Sequence, residues 1–157
     1  MNLKTTHHRN SHCPVSCSLE VIGDSWSLLI IRDILYFGKR TYGEFISSPE
    51  RIARNILASR LVQLEQRGIL IKKPHPTDGR KDMYILTEKG FDLIPLILDM
   101  AEWGAKYEPE TTAFQAWLKN IHIDRKLLIK LIRDTMLHNG AILVGKDSVV
   151  SKLKYIK

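Results

Sequence analysis

Apolar residues recur at helical spacing through the first part of the chain, and glycines or polar residues interrupt them. A first helix is predicted over residues 13–23, because proline suits a first helical turn and glycine ends a helix. A second is predicted over residues 26–36, with Asp24 or Ser25 as its cap and Gly38 as its end. Its apolar residues lie almost all the way round, so we expect it to be central and buried.

The predicted elements after this helix are shorter and more polar. Residues 40–42 are predicted as a short strand and residues 43–47 as a short helix. The next helix, over residues 52–67, has apolar residues on one face only and ends at Gly68. That face is therefore expected to pack, and the other to meet something polar. The polar face carries Arg51, Arg54, Asn55, Ser59 and Gln63.

A β-hairpin with a basic loop is predicted next, from strands at residues 69–73 and 83–86 around an Asp-Gly turn. Thr87 then caps a long helix over residues 88–106, which Pro95 is expected to bend. This helix is apolar on more than one face. Such a helix packs against its own domain and also against a partner, so we interpret it as a dimer element.

The two ends of the chain have weaker patterns. Residues 1–11 lack apolar periodicity and are expected to form a flexible N-terminal arm. Residues 114–118 are compatible with a helical turn, and residues 124–137 form an amphipathic helix pattern. Residues 141–144 and 149–156 are predicted strands. The expected domains are therefore the arm, a central domain over residues 12–108, and a C-terminal extension over 109–157 that is a candidate dimerisation segment.

The 157 residues have an ordinary globular composition, 44% hydrophobic and 26% charged, with a net charge of +7. The charge is unevenly distributed along the chain. Residues 51–81 hold eight basic and two acidic residues, net +6. Residues 82–115 hold two basic and seven acidic residues, and residues 116–157 hold nine basic and three acidic. The density over residues 51–81 suits a polyanionic partner.

Several classes of protein are excluded by what the sequence lacks. No uncharged apolar run approaches the roughly 20 residues of a membrane-spanning helix, and the N-terminus has no signal-peptide core. Two cysteines cannot build a disulfide framework, which favours a reducing, cytoplasmic setting. No phosphate-binding loop, dinucleotide fingerprint, metalloprotease or nucleophile-elbow motif is present. We therefore expect neither an enzyme, nor a cofactor, nor a membrane protein.

The order helix, short helix, turn, helix and basic hairpin is that of a winged helix-turn-helix. The expected fold is mainly α (α+β), with a two-stranded β-wing and a C-terminal extension. An α-helix fits the DNA major groove, where Arg pairs with guanine and Asn with adenine. Hairpin cations meet phosphates or the minor groove; the alternative is a merely solvated helix face. The candidate DNA-binding residues are Arg51, Arg54, Asn55, Ser59, Arg60, Lys73, His75, Arg80 and Lys81.

Three segments carry distinctive motifs: CPVSCSLEVIGDSWSLLIIRDILYFGKRTYGEF at 13–45, RIARNILASRLVQLEQRGIL at 51–70 and MYILTEKGFDLIPLILDMAEWG at 83–104. Over about residues 13–107 the chain resembles the HxlR-type winged helix-turn-helix transcriptional regulators. The resemblance implies a homodimer joined through the first and last helices of the domain, a palindromic operator, and a recognition helix at residues 52–67. The chain departs from the family pattern at Ser25, where a basic residue is frequent, in its wing tip, and beyond residue 108.

Cys13 lies at a helix start, where unpaired N–H groups and the helix dipole stabilise a thiolate. HxlR-type regulators, which the chain resembles, often have a cysteine at this position, and some sense electrophiles or oxidants with it. The alternative is that Cys13 is an ordinary half-buried cysteine. Cys17, one turn later, is expected to face the core. His7, His8 and His12 precede these cysteines, but adjacent histidines suit one tetrahedral site poorly, so we expect no metal.

Three functions follow as hypotheses. The first is sequence-specific DNA binding by a homodimer, and the second is a winged-helix protein-interaction module. The third is a small-molecule-responsive regulator with a cleft lined by Trp26, Trp103 and Tyr107. The basic residues beyond 116 either extend the DNA footprint or form the solvated side of a dimerisation helix, and we favour the second interpretation.

Overall fold

The computed structural model describes residues 12–108, 110–111 and 124–154. Residues 1–11 and 114–118, for which an arm and a helical turn were predicted, lie outside the described residues. The elements within that part of the chain are α1 (Pro14–Ile22), α2 (Ser25–Phe37), α3 (Tyr42–Ile46), α4 (Arg54–Gln66), β1 (Leu70–Pro74), β2 (Asp82–Leu86), α5 (Glu88–Phe91), α6 (Ile94–Tyr107), α7 (Arg125–Leu137) and α8 (Val149–Leu153).

The first two helices begin and end where local chemistry predicts. Cys13 is the N-cap of α1, and a Cβ at Gly23 would lie 2.3 Å from the Leu19 carbonyl oxygen, so only glycine fits this junction. The Asp24 side chain caps α2 by accepting a hydrogen bond from the Ser27 backbone N–H at 2.9 Å. Gly38 ends α2 in the left-handed conformation, with φ of 66°. As expected, α2 is central and largely buried.

The turn between α3 and α4 sets where the second helix of the motif begins. Thr41 and Glu44 form a capping box at α3. Arg51 has a positive φ of 56°, so the chain reverses there, and the buried side chain of Ile52 anchors the turn. Consequently α4 begins at Arg54 rather than at the predicted residue 52. Its buried residues are Leu57, Leu61 and Leu64.

The hairpin forms as predicted, with β1 antiparallel to β2 and Leu70 opposite Leu86. The predicted strand at residues 40–42 is reduced to one bridge between Thr41 and Met83. The backbone N–H of Tyr84 donates to the Arg40 carbonyl at 2.7 Å, so the hairpin is held against the segment before α3.

The predicted long helix over residues 88–106 is wrong in one respect: it is broken rather than bent. Thr87 caps α5 as expected, by accepting a hydrogen bond from the Gly90 N–H. The chain then leaves the helix after Phe91, and α6 begins at Ile94. Pro95 lies in the first turn of α6, where the missing N–H has no intrahelical partner to lose. Proline therefore starts a new helix here.

The predicted strand at residues 141–144 is also wrong, as is the predicted strand at 149–156 over residues 149–154, the part of it that the structure describes. Residues 142–147 form bends and a turn, and residues 149–153 form the helix α8. The Ser148 hydroxyl caps that helix by accepting from the Ser151 N–H at 3.2 Å. Alternating apolar residues in this segment indicate burial, which the fold achieves with a short helix instead.

The C-terminal extension packs on the winged-helix region. Leu128, Ile132 and Met136 of α7 are buried in the same apolar cluster as the core of the helix-turn-helix. The Ile142 N–H donates to the Leu35 carbonyl at 2.8 Å, and the Leu143 N–H donates to the carbonyl of the next residue of α2. Residues 124–154 thus complete the core around the end of α2.

Opposite charges reinforce that packing. Arg125 of α7 lies 3.1 Å from Glu102 of α6, and Arg133 lies 3.6 Å from Asp92. Arg133 also lies over the ring of Phe91, 5.1 Å from its centroid. Part of the C-terminal basic block is therefore balanced by the acidic block before it. Further carboxylate partners are Asp99 for Arg125 and Glu88 for Arg133.

In the part of the chain that the structure describes, no single helix is long and apolar enough to cross a membrane. Helices α1 and α2 meet the length and composition test only as a pair, and they are bent by 75° at their junction.

Candidate nucleic-acid interface

One face of α4 is turned away from the core. The buried leucine stripe holds the opposite face against α2, and the outward residues follow at spacings of three and four. Arg54 and Asn55 are exposed on the first turn, and Ser59 is exposed one turn later, as predicted. The exposed set on these turns is Arg54, Asn55, Ala58, Ser59 and Val62.

Two of these residues were missed by the sequence analysis. Ala58 is exposed, and Val62 is 51% exposed despite its apolar side chain. Their spacing from Asn55 would have identified them, because residues three and seven positions later share a helix face. Both lie on the same outward face as the polar residues, and each offers apolar surface there.

The start of α4 is fixed by contacts from α2 and α3. The Tyr42 hydroxyl donates to the Arg54 carbonyl at 2.9 Å. In the preceding turn, Arg32 donates to Glu50 at 2.7 Å, and this hydrogen bond lowers the pKa of the Glu50 carboxyl. Arg51, exposed in the same turn, stands immediately before the helix. Contacts from α2 and α3 therefore fix both the backbone of the first turn of α4 and the turn that leads into it.

The turn is also tied to a buried carboxylate. Asp33 of α2 is 3% exposed, and its side chain receives the Lys39 ammonium at 3.0 Å and the Ser48 hydroxyl. A buried carboxylate is stabilised only where donors surround it. Ser48 thus connects the middle of α2 to the turn that leads into α4.

Arg60 does not lie with the other candidate residues of α4. It is half-buried, and its Nε lies 3.0 Å from Asp24 Oδ1. Its Nη1 donates to Gln63 Oε1 at 2.7 Å. Gln63, predicted on the polar outer face, is itself half-buried. Both side chains lie on the flank of α4 that faces the start of α2.

The hairpin presents cations that are partly paired within the wing. Lys73 is exposed on β1. The neighbouring Lys72 pairs with Asp82 at 2.8 Å, and that hydrogen bond raises the pKa of the Lys72 ammonium. His75 is half-buried, and its Nδ1 lies 3.3 Å from the Thr77 N–H.

The wing tip is organised by one carboxylate. Asp78 lies 3.2 Å from Arg80 Nε and 3.1 Å from Lys81 Nζ. The hydrogen bond from Arg80 and then that from Lys81 lower the pKa of Asp78. The Arg80 side chain is nevertheless 91% exposed, so it remains accessible to a partner. The tip is a compact cationic surface that carries its own counter-ion.

Comparison with known proteins decides the class of this helix, turn, helix and wing. The model of the HxlR-like helix-turn-helix family matches residues 21–112. The chain belongs to the HxlR-like helix-turn-helix family. This confirms the resemblance and the winged-helix fold, and it makes the chain a DNA-binding transcriptional regulator of that family.

Individual relatives agree with the family assignment. The uncharacterized HTH-type transcriptional regulator MT3179 of Mycobacterium tuberculosis is 35% identical over 69% of this chain and 68% of its own length. The crystal structure of PA1607 is 39% identical, with a TM-score of 0.61 over 69% of this chain and 76% of PA1607. The redox regulator HypR in its oxidized form is 34% identical, with a TM-score of 0.54 over 60% of this chain and 96% of HypR.

In this family member, Cys13 is exposed at the N-terminus of α1. Hydrogen bonds from the backbone of Ser16 and then of Val15 lower the pKa of its thiol. A lower thiol pKa means that a larger fraction is thiolate, the reactive form, at neutral pH. Cys17 is half-buried one turn later, and the two cysteines are not joined in a disulfide.

The HxlR-like domain also exposes apolar side chains on its first and last helices. Val15 and Leu19 are exposed on α1, and Met100, Trp103 and Tyr107 are exposed on α6. The rings of Trp103 and Tyr107 lie 5.3 Å apart and form one continuous apolar surface. Neighbouring exposed apolar side chains of this kind are frequent where a protein contacts another protein.

The three aromatic residues of the predicted effector cleft lie on two elements, Trp26 on α2 and Trp103 with Tyr107 on α6. Trp26 lines a crevice between α2, α3 and the turn before α4, together with Phe45 and Ile52. Trp103 and Tyr107 do not line it.

Within the described residues, no group of three or more His, Cys, Asp or Glu side chains is placed to hold a metal ion. His7 and His8 lie outside those residues.

Proposed function

We propose that this HxlR-like regulator binds a palindromic operator as a homodimer and reads it with the outward face of α4. The observation that carries the proposal is the exposed set on α4, held in place by a buried leucine stripe. In the major groove Arg54 would pair with guanine O6 and N7, and Asn55 with adenine N6 and N7. Ser59 reaches either a base or a phosphate. Ala58 and Val62 would contact thymine methyl groups.

Phosphate contacts complete the proposed interface. Arg51 stands at the approach to the helix, and Lys73, His75, Arg80 and Lys81 belong to the wing. Such contacts fix the register of a protein on the duplex and release counterions. Affinity should therefore fall steeply with salt. Since DNA is the partner, we keep the cytoplasm as the expected location and regulation, not catalysis, as the expected role.

The proposed homodimer forms through α1 and α6. Support comes from the exposed apolar side chains on these two helices, which are the first and last of the domain. A two-fold dimer presents two copies of α4, and a palindromic site matches that symmetry. Half-sites about 34 Å apart, one turn of B-DNA, would place both copies in successive major grooves.

We further propose that Cys13 makes DNA binding responsive to thiol-reactive compounds. Support comes from its exposure, the lowered pKa of its thiol and the likeness to a redox regulator. Treatment with diamide or a quinone should weaken DNA binding by the wild-type protein. A Cys13→Ser variant should keep its affinity under the same treatment, with Cys17→Ser as the matched control that still responds. Unchanged wild-type affinity would overturn this proposal.

The test of DNA binding is selection of bound duplexes from a random library by the purified protein, with and without oxidant. Enrichment of a two-fold symmetric motif is expected. Absence of any enriched motif at moderate salt would overturn the proposed function and favour a protein-interaction role for the winged helix.

A further inference from the structure

We propose that Arg60 is a positioning residue, which fixes the rotation of α4 on α2 through Asp24, rather than a residue that contacts DNA. The proposal rests on the DNA-binding function proposed above and assigns a role that no base or phosphate contact would give. It concerns the flank of the recognition helix, not its outward face.

The Asp24 carboxylate is held before Arg60 reaches it. Its Oδ1 accepts the Ser27 N–H at 2.9 Å as the cap of α2, and its Oδ2 accepts the Ser27 hydroxyl at 2.5 Å. Arg60 Nε then approaches Oδ1 at 3.0 Å, while Arg60 Nη1 donates to Gln63 at 2.7 Å. Both side chains of the ion pair are less than one-third exposed. A fixed carboxylate on α2 therefore meets a guanidinium that is also braced on α4.

The Arg60–Asp24 contact is directional, whereas the apolar contacts between α4 and α2 are not. The leucine stripe of α4 holds the helix on α2, but apolar contact is non-directional and tolerates small rotations of the helix. The contact of Arg60 Nε with Asp24 is an ion pair without a hydrogen bond of its own, but hydrogen bonds to Ser27 and Gln63 fix the two charged groups on their own helices. The pair therefore has a defined geometry. At 100° per residue, Arg60 lies about 140° around the helix from Asn55. A rotation that breaks the Asp24 contact therefore turns the outward face by the same angle.

Sequence readout depends on that angle. Groups that recognise a ligand must be held within about 10–20° of their productive orientation. Loss of the ion pair should therefore reduce discrimination between DNA sequences more than it reduces non-specific affinity. A residue that touches phosphate behaves in the opposite way, because it contributes equally to every sequence.

The experiment compares Arg60→Gln, Asp24→Asn and the double variant in the full chain. Asparagine keeps the capping oxygen of α2, since Asn and Asp cap helices equally well. The probe is the fluorescently labelled duplex selected by the wild-type protein, and a scrambled duplex of the same composition is the reference. Affinity for both is measured over a range of KCl concentrations, with thermal unfolding followed in parallel. Lys81→Gln is the matched control for loss of a phosphate contact.

Each single variant should lower the ratio of selected to scrambled affinity by roughly tenfold, and the double variant should lower it no further. The salt dependence should stay that of the wild type, whereas Lys81→Gln should reduce the slope by about 0.9 per lost contact. Arg60→Lys keeps the charge but not the paired geometry, so it should retain the slope and still lose discrimination. This variant tests the proposal even if Arg60→Gln fails to fold.

Two results would overturn the proposal. If Arg60→Gln reduces the salt slope and weakens both duplexes equally while Asp24→Asn has no effect, Arg60 contacts phosphate. If the folded variants keep the wild-type ratio, the ion pair only stabilises the fold. Failure of the wild-type protein to select any duplex would instead refute the proposed function itself, before the variants are compared.

Discussion

The substitution Ile132→Ala tests whether the C-terminal extension belongs to the core of the winged helix. Ile132 lies at the centre of the buried face of α7 and is 0% exposed. It belongs to the same apolar cluster as Leu35 of α2 and Ile94 of α6. Truncation therefore removes side-chain atoms from a packed interior and leaves a cavity, rather than trimming a surface.

The size of the effect follows from that burial. Truncation of a fully buried isoleucine to alanine destabilises a protein by about 2–5 kcal/mol. In a chain of this length each kcal/mol lowers Tm by about 2–4 °C, so Tm should fall by roughly 4–20 °C. Leu127→Ala is the matched control, because Leu127 on the same helix is 42% exposed. That variant should change the free energy of unfolding by about 0.5 kcal/mol or less.

The assay is denaturant unfolding followed by far-ultraviolet circular dichroism and by tryptophan fluorescence, to which Trp26 of α2 contributes. Both signals should shift together to a lower midpoint in Ile132→Ala, because one core unfolds in one transition. If the helical signal is lost first while fluorescence keeps the wild-type midpoint, the extension folds separately. An unchanged midpoint in both signals would refute the packing described for α7.

The other predictions concern the interface and the thiol. Arg54→Ala should cost about 1–3 kcal/mol of binding and relax base preference, whereas Lys81→Ala should weaken all duplexes about equally; competition titrations with selected and scrambled duplexes measure both. Asp78→Asn keeps an acceptor for the Arg80 N–H but frees the tip cations, so affinity for every duplex should rise, and unchanged affinity in anisotropy titrations would contradict this. Because the pKa of Cys13 is lowered, its alkylation rate should reach half-maximum at a lower pH than that of a model thiol. Mass spectrometry measures the rate, with Cys17 in the same protein as a reference for the extent of labelling. Equal pH profiles for Cys13 and the model thiol would contradict the lowered pKa. Trp103→Ala should weaken the dimer by about 30-fold or more in sedimentation equilibrium if α6 forms its interface, and Leu127→Ala should not.

Signals that act within one turn of the chain were readable from the sequence. Gly23, Asp24, Gly38 and Thr87 mark helix ends, and the structure confirms all four. Each works through backbone geometry or a capping hydrogen bond to residues three or four positions away. The hairpin was equally predictable, because its turn residues and its alternating strands are local features.

The structure differs from the sequence predictions where the outcome depends on how one element follows or packs on another. Pro95 was expected to bend a helix, yet its position in the first turn of α6 follows from how the chain leaves α5. The predicted strand at 141–144 is apolar because its residues pack at the end of α2, where Ile142 and Leu143 hydrogen-bond, and no local pattern shows this. The contact of Arg60 with Asp24, which lies 36 positions earlier in the sequence, likewise shows in no local pattern.

The charge bands show the same distinction. The basic band at residues 51–81 coincides with α4 and the wing, and it keeps exposed cations there. The C-terminal basic band instead places Arg125 against carboxylates of α6 and Arg133 against Glu88 of α5. Two bands of equal net charge therefore have different roles: the first is a candidate interface, and the second in part forms contacts within the chain.

In the proposed complex, two copies of α4, related by a dimer axis, read successive major grooves of one operator. Selection from a random duplex library by the purified protein tests it most directly. We expect one enriched palindromic motif whose half-sites are centred about 10–10.5 base pairs apart, or a multiple of that spacing. Enrichment of no motif, or of a single asymmetric half-site bound by one protein chain, would contradict it.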